Sequence, residues 1–267
     1  MCFGSPVTRS HLDALKGGLA QVLPDVKSSH RVEALGRGLG FRTYATLRAA
    51  AQSPEPLMAT VSGESFAAYL TEHGFEVDPA HLYRAAAQVA INDVLDKMPR
   101  LSIHGIGFGR PQRNPDRTWE TPQQSYAKFV ERRQECQELH AAEEFLLALA
   151  LLSRVQPTKT VMSGSGSYRL KHIAENYACT YPEGGKLGPR YVANGMLIAA
   201  PFIWALGTRR ISMTSGAAWT QRPLLPASIV VGRIRSCANP VLGRISKSRS
   251  YDTLNASFNM SKRSIDE

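Results

Sequence analysis

Between Thr8 and Arg154 the apolar residues of this chain fall three and four positions apart in run after run. Each run is opened by a residue that caps helices and closed by Gly or Pro, which commits this stretch to a succession of amphipathic helices. Thr8 or Ser10 opens the first, whose stripe is Leu12, Leu15, Leu19 and Leu23, and Pro24 ends it. Ser28 or Ser29 opens the second, with Val32, Leu35 and Leu39 on one face and Gly40 as its stop. Thr43 opens a short third helix holding Tyr44, Leu47 and Ala50, closed by Ser53-Pro54-Glu55-Pro56. Two more helices are predicted at Glu64–His73 and Pro79–Met98.

The period changes at 99–121, where Leu101 and Ile103 alternate with polar residues ahead of a loop rich in Gly and Pro, so a small β-hairpin is predicted near 101–119. Thr121-Pro122-Gln123-Gln124 combines a cap, Pro at the first helical position and Gln at the third, and predicts one long helix over 122–154. Its second half, Phe145 to Leu152, is nearly all apolar and must be buried against other helices or a partner. The Ser/Gly run inside 157–167 reads as a linker between a helical domain at 8–156 and a helical pair at 168–200. That pair is an amphipathic helix from Tyr168 to about Cys179 and an apolar one from about Tyr191, cut by Pro201. Beyond it no period holds, and only Ser228–Ile234 resembles a strand. The fold class expected is mainly α, with one hairpin and an irregular, poorly ordered region at 201–267.

Charge is divided as sharply as period. Residues 1–183 hold 20 Lys or Arg against 19 acids, whereas residues 184–267 hold 12 against 3, and from Gly184 to Tyr251 there is no Asp or Glu. Such a segment is either a polyanion-binding surface or a stretch never selected to fold with the rest. Its lack of helical or strand period favours the second reading and moves the functional expectation upstream. Four scattered cysteines (Cys2, Cys136, Cys179, Cys237) and a start without a charged and apolar leader point to a cytoplasmic protein. The charge-free stretch Tyr191–Thr208 is broken by Asn194, Gly195 and Pro201 and is shorter than the roughly 20 apolar residues of a membrane span, so no membrane partner is expected.

Catalytic motifs are missing in context as well as in residues. Gly105-Ile106-Gly107-Phe108-Gly109 precedes Arg110-Pro111 rather than a helix, so its amides are not aimed as a nucleotide fingerprint requires. Ser163-Gly164-Ser165-Gly166-Ser167 lacks the strand-to-helix setting of a nucleophile elbow. Cys136 and His140 share a helical face with Glu143 or Glu144 one turn on, but no second Cys/His pair has zinc-site spacing. No catalysis, cofactor or metal is expected.

What remains is two basic helical units. Ser28–Ala51 has the helix-Gly-helix form of a DNA-reading helix-turn-helix, with Leu35, Leu39 and Leu47 as its inner core and Arg42, Thr43, Thr46 and Arg48 free for phosphates and base edges. A plain helical hairpin with solvated polar residues reads the same way. The pair at 168–200 carries Arg169, Lys171, His172, Lys186 and Arg190 as a second candidate phosphate patch, diluted by Glu175 and Glu183. The expected function is an accessory protein that binds duplex DNA through these units. The alternative is a non-enzymatic helical module that binds another protein chain or has a structural role. Neither reading fixes the oligomeric state.

The segment Ser29-His30-Arg31-Val32-Glu33-Ala34-Leu35-Gly36-Arg37-Gly38-Leu39-Gly40-Phe41-Arg42-Thr43-Tyr44-Ala45-Thr46-Leu47 resembles a small helical segment that precedes some glyoxalase-related bacterial proteins. Glyoxalase chemistry is not implied, because no metal-ligand set accompanies it. The runs Ser167–Glu175 and Tyr191–Ala200 resemble a family of uncharacterised proteins from proteobacterial plasmids and integrative elements, a likeness covering about residues 8–200. It implies a mobile-element setting and no activity. In that family the Asn194-to-Ala200 type of helix leads soon into a segment like Ala256–Ser264, which here comes about 50 residues late. Residues 201–254 therefore read as an insertion or an out-of-frame stretch.

Overall fold

The computed structural model describes residues 4–155 and 167–209. Strand β1 (Gly4–Val7) leads into α1 (Arg9–Val22), α2 (Ser28–Gly38) and α3 (Tyr44–Ala50), and β2 (Leu57–Thr60) returns antiparallel to β1 with Ser5 opposite Ala59. Helices α4 (Gly63–Glu72) and α5 (Ala80–Lys97) follow, then the hairpin β3 (Leu101–Ser102) and β4 (Gly105–Ile106). The chain continues through α6 (Pro122–Glu135), α7 (Leu139–Leu152), α8 (Ser167–Glu175) and α9 (Asn194–Arg209). The described part is mainly helical, with nine helices and two small antiparallel strand pairs.

Side-chain capping starts four of these helices. Thr8 accepts from the His11 amide, Ser62 from the Ser65 amide, and Thr43 with Thr46 and Thr121 with Gln124 form reciprocal capping boxes. The cap expected at Ser28 or Ser29 is absent, because Ser28 is already helical and Lys27 holds the cap position without a side-chain bond. Arg31 steadies this entrance instead, donating to the Leu23 and Val26 carbonyls at 2.8 and 2.7 Å.

At the centre α5 packs on α7, and α9 packs on both. Leu82, Ala87 and Ile91 of α5, Phe145 to Ala148 of α7 and Met196, Leu197, Ala199 and Ala200 of α9 have no exposed surface. Burial of each large apolar side chain contributes about 1.5–3 kcal/mol. The apolar end of the region 122–154 thus finds its cover inside the molecule, and residues 168–200 complete the core that residues 8–155 begin. Apart from Ser167, which opens α8, the linker expected at 157–167 lies outside the described residues. So does the tail expected at 201–267, apart from 201–209 at the end of α9, and with it the strand expected at Ser228–Ile234. Among the described residues no helix is long and apolar enough to cross a membrane.

Two expectations are corrected, and one element was not foreseen. The single helix at 122–154 is two, α6 and α7, broken at Cys136–Glu138. The Arg132 carbonyl, which an unbroken helix would bond to the Cys136 amide, instead accepts the Ile103 amide of the hairpin at 3.1 Å. Arg133 then donates to the Leu95, Met98 and Leu101 carbonyls, tying α6 to the end of α5 and to β3. Pro201 does not cut α9, which runs from Asn194 to Arg209. Proline has no amide for the Leu197 carbonyl, but the helix is already held by packing on α5 and α7. The β1–β2 ribbon was not expected at all.

The loop after α8 is tied back to the start of α4 and to α5. Glu183 Oε1 accepts from the Glu64 amide at 2.8 Å and the Tyr83 hydroxyl at 2.9 Å, placing a carboxylate at the start of α4, where open amides favour negative charge.

Candidate nucleic-acid interface

Helices α2 and α3 are joined by a tight turn whose glycines have separate jobs. Gly40, at φ +80°, donates to the Arg37 carbonyl while the Phe41 amide donates to Gly36, the Schellman arrangement that ends a helix. A Cβ on Gly36 would stand 3.1 Å from the Thr43 carbonyl carbon and the Tyr44 nitrogen, so its hydrogen lets α3 start against α2. Leu35, Leu39 and Leu47 form the buried interior of the unit, at 0, 2 and 0% exposure.

The four site residues expected here divide in two. The Thr43 and Thr46 hydroxyls are spent on the capping box, so they hold α3 in place and are not free to read bases. Arg42 and Arg48 are exposed, and Arg37, which the sequence reading did not single out, is exposed beside them. None of the three arginines forms an ion pair among the described residues. The outer face of α3 is otherwise small, presenting Ala45, Thr46 and Ala49. Glu33 is turned inward and accepts the Tyr44 amide at 2.9 Å, so its charge is taken up at the helix start. An open groove of about 670 Å³ runs along this unit between Arg37, Phe41 and Arg42 on one side and Ser65, Tyr69 and Glu72 of α4 on the other.

The second basic unit is arranged differently. Lys171 is buried, 7% exposed, and its ammonium lies 2.5 Å from Glu175 Oε1 and 4.4 Å from the centre of the Tyr191 ring. Burial works to lower its pKa, but the Glu175 bond and the adjoining tyrosines together raise it. Lys171 is therefore a charged internal strut and not the surface cation expected of it. His172 Nδ1 lies 2.7 Å from the other Glu175 oxygen. Burial pushes the Glu175 carboxyl up, and its bonds to Lys171 and His172 bring it below the usual value. Arg190 pairs with Glu143, whose second oxygen accepts from Arg84 Nε at 2.8 Å. Only Arg169 and Lys186 of the five remain exposed and without an ion pair among the described residues.

Cys136 and His140 do not meet. The thiol is fully buried and donates to the Arg132 carbonyl, whereas His140 is exposed and faces Glu135 at 3.9 Å. Among the described residues no three His, Cys, Asp or Glu side chains converge as a metal site would need. The Asn194-Gly195 pair also finds its reason in packing. The Gly195 amide donates to the Ile103 carbonyl at 2.8 Å, and a Cβ there would stand 2.0 Å from the Ser102 carbonyl oxygen. No protein-family model, curated protein or solved structure matches the chain.

Proposed function

We propose that the chain is a non-catalytic accessory protein that binds duplex nucleic acid through the α2–α3 unit, in the mobile-element setting that the resemblance of its Ser167–Glu175 and Tyr191–Ala200 runs implies. The observation that supports this reading is the contrast between the two basic units. Arg37, Arg42 and Arg48 stand exposed with no ion pair among the described residues, whereas Lys171, His172 and Arg190 are each matched by an internal carboxylate. Arginines without internal partners can exchange counterions for phosphates, while neutralised ones contribute little to binding. The small outer face of α3 leaves room for a groove wall to approach.

The test is the salt dependence of duplex binding by the full chain, followed by anisotropy of a labelled 20-base-pair DNA between about 50 and 200 mM salt. Replacing Arg37, Arg42 and Arg48 together with Ala should lower the slope of log K against log salt by roughly two to three, at about 0.9 per lost phosphate contact. The basic segment after Gly184 is common to both proteins, so the difference reports α2–α3 alone. No binding at about 50 mM salt, or an unchanged slope in the triple variant, refutes the reading. A stable homo-oligomer indifferent to DNA, seen by light scattering, would favour the protein-interaction alternative.

A further inference from the structure

We propose a second binding surface, for single-stranded nucleic acid, on the outer face of the loop from Arg100 to Glu120 and the first turns of α6. Nine large apolar side chains are exposed among the described residues, and four of them, Ile106, Phe108, Trp119 and Tyr126, fall within this one stretch. Trp119 is 62% exposed and Tyr126 59%, far more than packing alone would leave. The rings are held in place. Phe108 rests edge-on against the buried Phe129 with centroids 4.7 Å apart and lies 6.1 Å from Tyr126, and the Arg113 guanidinium sits 5.3 Å from the Trp119 ring centre. Glu120 joins the loop to α6 by accepting from the Gln112 amide, the Ser125 hydroxyl and the Lys128 ammonium.

Cations share this stretch of chain with the rings, most of them between Phe108 and Trp119. Arg100, Arg110, Arg113 and Arg117 are all exposed and form no ion pair among the described residues. Glu120 is already neutralised by Lys128, which leaves Asp116 as the opposing charge, and it is occupied by the amide and hydroxyl of Thr118. Arg117 is the one described non-glycine residue with positive φ, at +69°. Its amide closes the turn on Asn114, whose own amide donates to the Thr118 carbonyl, so it occupies the bulge position that glycine ordinarily takes after a tight turn. A cation thus stands at the tip of this hairpin where glycine would be the easier residue.

Exposed rings interleaved with unneutralised arginines are what an unpaired strand requires, phosphates for the cations and base faces for the rings. A duplex keeps its base faces stacked inside and cannot use the rings. A second copy of the chain related by a two-fold axis would set this patch against itself, arginines facing arginines. The surface is distinct from α2–α3 and does not depend on the function proposed for that unit.

The experiment measures binding of a labelled 12-residue oligo-dT by the full chain at about 200 mM salt, where purely ionic retention is weak. Trp119→Ala should weaken binding roughly tenfold, the loss of one stacked base, and Trp119→Phe should restore most of it. Arg117→Gly should weaken binding while thermal stability holds or rises, which separates the surface from the fold. The Arg37, Arg42 and Arg48 triple variant should bind oligo-dT as the parent does, so that this proposal and the duplex reading can fail separately. Unchanged affinity in Trp119→Ala overturns the proposal. So does a Trp119-dependent dimer that does not bind oligo-dT, which would assign the face to a second copy.

Discussion

Gly195→Ala should be one of the most destabilising small substitutions in this molecule. The added carbon would lie 2.0 Å from the Ser102 carbonyl oxygen and 2.8 Å from that of Ile103, where real Cβ atoms keep at least 3.0 Å. The obstacle is backbone in a buried hairpin, since Ser102 and Ile103 are each 2% exposed, so no flexible side chain can swing aside. Relief requires α9 and the hairpin to part by about 1 Å, an overpacking strain costing about 1–3 kcal/mol. That movement also stretches the 2.8 Å bond from the Gly195 amide to Ile103, worth about 1 kcal/mol. Alanine's better helix propensity offsets about 1 kcal/mol, leaving a net loss of about 1–3 kcal/mol. At roughly 2–4 °C per kcal/mol for a domain of this size, the melting midpoint should fall by about 2–12 °C. Differential scanning fluorimetry beside Gly17→Ala supplies the contrast. Gly17 is exposed on α1 with nothing within 4 Å of an added Cβ, so that substitution should raise stability by up to about 1 kcal/mol. If Gly195→Ala melts with or above the parent, the docking of α9 on the hairpin is wrong.

Two further predictions concern buried titratable groups. Glu144 of α7 is 6% exposed and accepts the Ala193 amide at 2.7 Å, and burial raises its carboxyl above the usual value despite that bond. An acid with a raised folded-state pKa holds its proton longer in the fold, so its contribution to stability falls as pH rises from the unfolded value through the folded one. Glu144→Gln should therefore gain on the parent between pH 4 and pH 7 in thermal melts, and a gap independent of pH would refute the assignment. Burial pushes the Cys136 thiol up to about 12. In the native protein at pH 8 it should resist iodoacetamide, react only on unfolding, and thereby report global opening; rapid native labelling read by peptide mass spectrometry would contradict its placement.

Most helices were legible because their signals are local. Thr8, Thr43 and Thr121 cap the helices they announce, Gly40 ends α2, and Leu12, Leu15 and Leu19 turn inward from α1. The misses share one cause, a partner remote in sequence. Nothing near Cys136 breaks a helix; the break comes from the Ile103 amide taking the Arg132 carbonyl. Strand β1 has four residues and finds its mate 50 to 56 positions on. The candidate site shows the same limit. Composition located the basic residues, but whether a cation is available depends on whether a carboxylate lies beside it. Glu143, on α7, silences Arg190 from 47 positions away, while among the described residues nothing comparable reaches Arg42. Arg37 could have been found by asking which basic residues lie opposite the leucine stripe of α2. Trp119 and Tyr126 could have been found by asking which rings have no helical stripe to join.

The Glu183 staple has a consequence for the order in which the molecule is made. The amide it caps belongs to Glu64, 119 residues earlier, and the cover over α7 comes from α9, later still. At about 5–20 residues per second of synthesis, α4 waits roughly 6–24 s for its carboxylate. During that interval the apolar flank of α7 emerges from the ribosome before the helix that will shelter it. Until α9 is made, that flank of α7 has only α5 against it, and a stall anywhere between Leu152 and Ala200 would leave the rest of it open to solvent.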